Sequence, residues 1–296
     1  MHLVIGTGKV GVPLSRLFEA SKIPALSTSR SGNVPTPLTG VAFDWTDKST
    51  FEDPFSLAEA ESDVIQSIFM TPPKVIDMLD QMRPFIDFAA KIKGVKRFVL
   101  LSASIIPPGE IAHGAVHKYL ADLGVEYAAI RPSWFFQNFY ALPSRLFYTD
   151  LMNNSVVSST GSSKLGFVDA RDIADAAFHA MTDNVPLNGS CIVFGPELLS
   201  YAEVAASFSS VTGRTITHRD LSRSEFKERA MRLLSLPEPY AEAMALGEDQ
   251  IKNGVEEKFF HDGVIDSEDK EKKEIWFGKI SIQHYFQENK EDLFLR

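Results

Sequence analysis

The sequence predicts an α/β protein: a doubly wound parallel sheet with a smaller, mostly helical C-terminal region. Three observations carry that prediction. A glycine-rich string, Gly6-Thr7-Gly8-Lys9-Val10-Gly11, stands between an apolar tetrapeptide and a segment with helical apolar spacing. Short apolar runs then recur with helical segments between them as far as Ile130, which is the rhythm of βαβ units. Beyond Pro132 that rhythm gives way to shorter, mixed elements. The 296 residues suffice for a core over 1–150 and a region over 151–296 that completes the sheet and forms a helical substrate lid.

Taken in order, residues 2–5 make the first strand and 10–20 the first helix. Apolar runs at 24–27, 41–43 and 64–70 supply three more strands. Residues 74–93 carry a helical period that Pro84 interrupts and Gly94 ends, and the strand 97–101 follows. A helix over 112–123 stops at Gly124, and 125–130 is the sixth strand of a Rossmann-type sheet. Further on, 169–181 reads as a helix with an acidic start and 191–194 as a short strand. Residues 200–211 read as a helix capped by Ser200 and closed by Gly213. Residues 221–253 are helical in pattern, and the mixed charges over 262–274 read as a solvated surface.

Composition narrows the function. A net charge of −9 and a pI near 5.3 leave no basic footprint for a phosphate backbone, so nucleic acid is not an expected partner. The single cysteine, Cys191, can form neither an internal disulfide nor a thiolate metal site, which suits a reducing compartment. No apolar run approaches membrane-spanning length, and the glycine turn leaves little room for a leader before the fold begins. The expectation is a cytoplasmic protein with no membrane partner.

The glycine string has the context of a dinucleotide site: a strand before it, a helix after it and a βαβ unit around it. Gly6 permits the tight turn, Gly8 lets backbone N–H groups approach a pyrophosphate, and Gly11 lets the helix pack close to the sheet. Thr7, Lys9 and Val10 complete the cradle. An NAD site would place an acid about 20 residues further on, to hold the ribose 2′-hydroxyl. The chain instead reads Ser27-Thr28-Ser29-Arg30-Ser31, hydroxyls and a guanidinium suited to a 2′-phosphate, so NADP(H) is the expected cofactor unless Arg30 is a plain surface charge. Asp44 would lie near the adenine edge, or else simply make a turn.

The string, together with Val95-Lys-Arg-Phe-Val-Leu-Leu-Ser-Ala-Ser104, Ile130-Arg-Pro-Ser-Trp-Phe135 with Asn138, Phe167-Val-Asp-Ala-Arg-Asp172 and Gly195-Pro-Glu-Leu-Leu-Ser-Tyr201, resembles the NmrA-like branch of the atypical short-chain dehydrogenases. Within that branch it is most similar to the festuclavine and agroclavine dehydrogenases of ergot alkaloid biosynthesis, over residues 1 to about 255. The resemblance implies NADPH-dependent reduction of an imine or iminium on an aromatic, alkaloid-like amine. It also implies that Met70-Thr71-Pro72 pass the cofactor ribose and phosphates and that Pro132 touches the nicotinamide. In this fold a serine after the fifth strand contacts the substrate, which makes Ser102 and Ser104 candidate catalytic residues.

Ketone reduction by a typical short-chain dehydrogenase needs Tyr-x-x-x-Lys, because a phenol must protonate the developing oxyanion. None of the seven tyrosines here has lysine four residues later. The helix that should carry the motif offers His113 and His117, one turn apart on one face. Three readings stand open: no acid is needed for an already cationic C=N⁺, a histidine donates the proton, or both histidines are ordinary helix residues. Glu110, His113 and His117 have a spacing that a metal could use but no matched outer partners, and no metal is expected. Trp134, Phe135 and Phe139 could stack on an aromatic or cationic substrate, or pack in the core. Two other functions compete: a non-catalytic redox-sensing regulator that binds NADP and a protein partner, and a cofactor-bound isomerase or cyclase. A homodimer is an open expectation.

Overall fold

The computed structural model describes residues 1–139, 149–150, 154–262 and 272–291. Tyr140 and residues 263–271 of the charge run lie outside them. The central sheet has eight strands: β1 His2–Ile5, β2 Ala25–Ser29, β3 Thr39–Ala42, β4 Ser67–Met70, β5 Arg97–Leu101, β6 Glu126–Pro132, β9 Gly189–Phe194 and β11 Lys272–Phe277. They lie in the order β11-β9-β6-β5-β4-β1-β2-β3, so the six strands expected from the sequence occupy the dinucleotide-fold order and two more extend the sheet beyond β6. Pairs β1–β2, β1–β4, β2–β3, β4–β5 and β5–β6 are all parallel. All four residues of β1 and of β4 are buried, the unbroken apolar pattern of strands covered on both faces.

The crossovers include α1 Gly11–Ala20, α2 Asp53–Ala60, α3 Met78–Asp87 and α4 His113–Leu123. Pro84 does not interrupt its helix as expected. It lies inside α3, which runs on into a π-helical turn at Phe88–Ile92 before Gly94 ends it with φ +73°. Helix α5, Ala170–Thr182, leads into β9.

Contacts within the chain group it into two compact units, and neither is continuous in sequence. The first holds 1–131, 173–192 and the start of β11, and the second the described parts of 132–172, 193–269 and 275–296. The chain leaves the first unit at the end of β6 and returns to it twice. In the second unit β7 Thr149–Asp150, β8 Ser155–Ser158 and β10 Thr217–Asp220 form a three-stranded sheet, β8–β10 parallel and β7–β8 antiparallel. Helices α6 Tyr201–Thr212 and α7 Arg223–Leu234 each start on a capping box, Ser200 with Glu203 and Ser222 with Glu225, and α6 ends at left-handed Gly213. Then come α8 Glu238–Lys252, α9 Val255–Asp262 and α10 Ile282–Glu288. The core of this unit is aromatic: Phe139 meets Phe167, Tyr201 and Phe286 at ring distances of 5.7, 5.9 and 6.2 Å. No helix among the described residues is long and apolar enough to cross a membrane.

Candidate functional site

In the first unit the glycine turn has the geometry its sequence requires. Gly6 has φ +100°, a conformation that L side chains rarely adopt, and a β-carbon there would press on the Thr71 side chain at 3.0 Å. A β-carbon on Gly11 would lie 1.7 Å from the Gly6 carbonyl oxygen, so the helix start can close on the turn only as glycine. Gly8 is different, for nothing lies within 4 Å of a β-carbon built there. The first turn of α1, three residues on, holds no acidic side chain. This is room and polarity for a phosphate.

Neighbouring strands brace the turn. Thr28 Oγ1 accepts the Gly6 N–H at 3.2 Å, and the Thr71 N–H donates to the Ile5 carbonyl at 3.1 Å. Thr28 is thus occupied in holding the turn, and Ser27 faces inward, donating to Ser15 Oγ at 2.7 Å. That leaves Ser29 and Arg30 as the groups at the end of β2 open to a ligand. Ser29 Oγ is buried without a hydrogen-bond partner, and the exposed Arg30 makes no ion pair among the described residues. Asp44 Oδ1 accepts from the Thr46 N–H and hydroxyl, which holds its carboxyl below the usual range, helped by the Arg30 charge. It makes an Asx turn whatever else it does. Met70 is wholly buried in the sheet, so of Met70-Thr71-Pro72 it is Thr71 that meets the turn, with Pro72 half-buried after it. Trp45, which sequence reasoning passed over, donates its indole N–H to the Thr71 carbonyl and closes this wall.

At the exit of β5, Ser102 is buried, its N–H donating to the Ile130 carbonyl at 2.7 Å while its Oγ has no partner. Ser104 is fully buried, and its carbonyl accepts from Arg131 Nη2 at 2.6 Å. Arg131 Nε also donates to the Ala103 carbonyl, so a buried guanidinium at the end of β6 fixes the serine turn. Sequence reasoning did not single out Arg131, because an Arg-Pro pair gives no sign of which way its guanidinium turns.

The loop after that turn folds back on α4. A β-carbon on Gly114 would lie 2.5 Å from the Pro107 carbonyl, the Gly109 N–H donates to the Gly114 carbonyl, and Ala112 is held at φ +58°, ψ −113°. Such a strained residue, costing about 1–3 kcal/mol, persists only when its surroundings impose it. His113 follows directly. Its Nδ1 is buried without a hydrogen bond, and burial lowers its pKa to about 4, so the ring is neutral at pH 7. His117, one turn on, is fully buried against Tyr127, rings 5.8 Å apart. The one tyrosine of α4, Tyr119, donates its hydroxyl to Asp87, and burial with that bond raises its pKa. No group of His, Cys, Asp or Glu that could hold a metal ion occurs among the described residues.

In the second unit Pro132 ends β6, and Trp134 and Phe135 follow it half-buried. Their backbone is pinned: the Val168 N–H donates to the Trp134 carbonyl and the Phe136 N–H to the Val168 carbonyl, both at 2.9 Å. The Gln137 amide bonds Asp169 and the Ala170 N–H, and buried Glu256 accepts from Ser133 Oγ at 2.6 Å and from the Gly166 N–H. Phe139, expected at the substrate, is 1% exposed within the aromatic core and belongs to the packing.

A dinucleotide therefore fits the first unit on its own evidence of an open Gly8, an acid-free helix start and orphaned hydroxyls at Ser29 and Ser102. Comparison with known proteins agrees with this architecture. Festuclavine synthase I of Penicillium roqueforti (strain FM164) is 39% identical over 255 residues, 85% of this chain and 88% of that one. Agroclavine dehydrogenase of Claviceps purpurea (strain 20.1) is 35% identical over 260 residues, 88% and 89% of the two chains. Among solved structures, triphenylmethane reductase of Citrobacter sp. in complex with NADP(H) superposes with a TM-score of 0.65 at 20% identity, covering 86% of this chain and 91% of that one. The model of the NmrA-like family matches residues 47–286, and the chain belongs to that family.

Proposed function

We propose that this chain is an NADPH-dependent reductase of an imine or iminium in an alkaloid-like secondary metabolite, acting in the cytoplasm on a small aromatic amine. The observation that carries the reading is the state of the groups on α4 where a ketone reductase would keep its acid. Tyr119 is bonded to Asp87, His117 is in the core, and His113 is neutral down to about pH 4. A ketone would leave an oxyanion with no donor among them. A C=N⁺ cation accepts hydride, loses its charge and needs no proton.

When bound, NADPH supplies the hydride. The backbone N–H groups from Thr7 to Gly11 and the start of α1 would hold its pyrophosphate, and Arg30 with Ser29 would take the 2′-phosphate. Ser102 Oγ, with its hydrogen-bonding capacity unspent, orients the nicotinamide or the substrate nitrogen substituents. Stacking on an aromatic ring would be worth about 0.5–2 kcal/mol to an indole-bearing cation, and half-buried Trp134 and Phe135 are the residues proposed for that role. The similarity to festuclavine synthase I and agroclavine dehydrogenase supports this substrate class, and the NADP(H) complex of the structural neighbour supports the cofactor. The test is incubation of the pure protein with NADPH and a clavine-type iminium. The expected result is loss of reduced-nicotinamide absorbance matched mole for mole by the tertiary amine. No oxidation of NADPH, or product formed equally well with NADP⁺, overturns the reading.

A further inference from the structure

We propose that Glu256, on α9, is a positioning residue for Trp134: it fastens Ser133, and with it the aromatic segment proposed to meet the substrate, to the C-terminal helices. The placement is argued from hydrogen-bond geometry, and its consequence for the reaction rests on the substrate reading above. Three stretches of the second unit meet at this point. The Ser133 N–H donates to the Val193 carbonyl at 3.0 Å, the Gly195 N–H to the Gly166 carbonyl at 3.0 Å, and the Val168 N–H to the Trp134 carbonyl at 2.9 Å. They run so close together that a β-carbon on Gly195 would lie 1.9 Å from the Phe167 carbonyl oxygen. The fully buried Glu256 spans two of them, its Oε2 accepting from Ser133 Oγ at 2.6 Å and from the Gly166 N–H at 3.1 Å. Ser133 and Glu256 are 123 residues apart in sequence, so the bond brings a distant helix to the residue directly before Trp134.

Helix α9 has anchors of its own over this junction. Ser163 Oγ donates to the Lys252 carbonyl at 2.8 Å, and the Lys164 N–H donates to Glu257 Oε1 at 2.9 Å. One turn beyond Glu256, the Phe260 ring meets that of Phe194 at 5.5 Å. Glu256 therefore arrives on a helix whose place does not depend on Ser133. Ser133 is only 2% exposed, so without its carboxyl partner the hydroxyl would be left buried without that bond. The backbone that must adjust is the one that carries Trp134. Trp134 is proposed to stack on a part of the substrate that does not react, so displacing it weakens the bound substrate and the transition state alike and raises KM more than it lowers kcat. The glycine turn belongs to the first unit, and NADP⁺ affinity should not change.

Two readouts on the full chain test this. The first is the fluorescence of Trp134 in a background where Trp45 and Trp276 are replaced by phenylalanine, which reports placement without any substrate. Ser133→Ala and Glu256→Ala are each expected to shift its emission maximum and its quenching by acrylamide. Because they break one shared bond, the double variant should match Glu256→Ala. The second readout is steady-state reduction of a clavine-type iminium in the background that keeps all three tryptophans. There Ser133→Ala should raise KM for the iminium roughly tenfold, the scale of one buried hydrogen bond, with kcat little changed and NADP⁺ affinity by calorimetry equal to wild type. Should Glu256→Ala fail to fold, Ser133→Ala carries the test. An unmoved Trp134 signal, an unchanged KM, or effects that add in the double variant overturn the proposal. So does a loss of NADP⁺ affinity that matches the rise in KM, since that marks a general loss of structure. A wild-type chain that does not reduce the iminium overturns the functional reading instead, and the Trp134 signal then decides the placement.

Discussion

Gly8 and Gly11 are the same residue in the same motif, yet steric demands separate them. At Gly11 a methyl group would lie 1.7 Å from the Gly6 carbonyl oxygen, whereas at Gly8 it meets nothing within 4 Å. Gly11→Ala should therefore cost several kcal/mol through overpacking against backbone, of the order of 3 or more, and lower the thermal midpoint or abolish soluble expression. Gly8→Ala should melt with the wild type and bind NADP⁺ at least tenfold more weakly, because the methyl fills the phosphate's space. Equal affinity of Gly8→Ala and wild type in a binding titration would remove the phosphate from that position. The motif spelled out all three glycines but not this difference. The same is true of His113 and His117. Spacing placed both on one face of a helix, and only packing reveals that one is a core residue against Tyr127 while the other sits beside strained Ala112. Arg131 and Trp45 were hidden for a related reason: each acts by hydrogen-bonding a distant backbone carbonyl, and single-sequence periodicity carries no such pairing.

Among the elements, those with strong period and capping were legible, and those defined by long-range pairing were not. Strands β1, β5 and β6 and helices α1, α4 and α6 lie within two residues of their expected bounds, because apolar runs, Gly124 and the Ser200 cap mark them locally. Strand β10, Thr-His-Arg-Asp, has no apolar residue, and β11 begins in a charge run that reads as a solvated surface. Partners in the sheet, not residue preferences, make them strands. Helix α8 was read only as helical pattern, and it conceals Glu248, fully buried, with Oε2 accepting from the Ser159 N–H and Oε1 without a partner. Burial lifts its pKa to about 8 from 4.5. Between those values the folded chain binds a proton that the unfolded chain releases, so this group's contribution to stability declines as pH rises, by up to about 1.4 kcal/mol per pH unit. Glu248→Gln keeps an accepting oxygen for Ser159 and cannot ionise. It should be more stable than wild type at pH 8, with the advantage shrinking toward pH 5 in denaturant titrations at the two pH values. An advantage independent of pH would mean that Glu248 is ionised in the fold.

At the scale of the whole molecule, acid stability depends on which histidines are kept neutral. His2 and His113 are each lowered to about 4, chiefly by burial, from an unfolded value near 6.5. Between these values the unfolded chain holds the extra protons, so the protein should lose stability as pH falls from about 6.5 toward 4, and His113→Gln should flatten part of that slope in thermal melts. If hydride passes to a preformed iminium, the chemistry requires no proton, and single-turnover rates measured with NADPH and a permanently charged, N-alkylated iminium should be level between about pH 6 and 8. If Ser102 orients the reactants as proposed, Ser102→Ala should lower the rate without introducing a slope, because a hydroxyl does not titrate in this range. Reduction of a neutral imine should by contrast fall with rising pH, following protonation of the free substrate rather than of the protein. The two substrates thus separate an enzyme that receives a cation from one that makes it. A rate on the permanent cation that drops tenfold per pH unit above neutrality would require a protein acid, and would return the proton donor to this site.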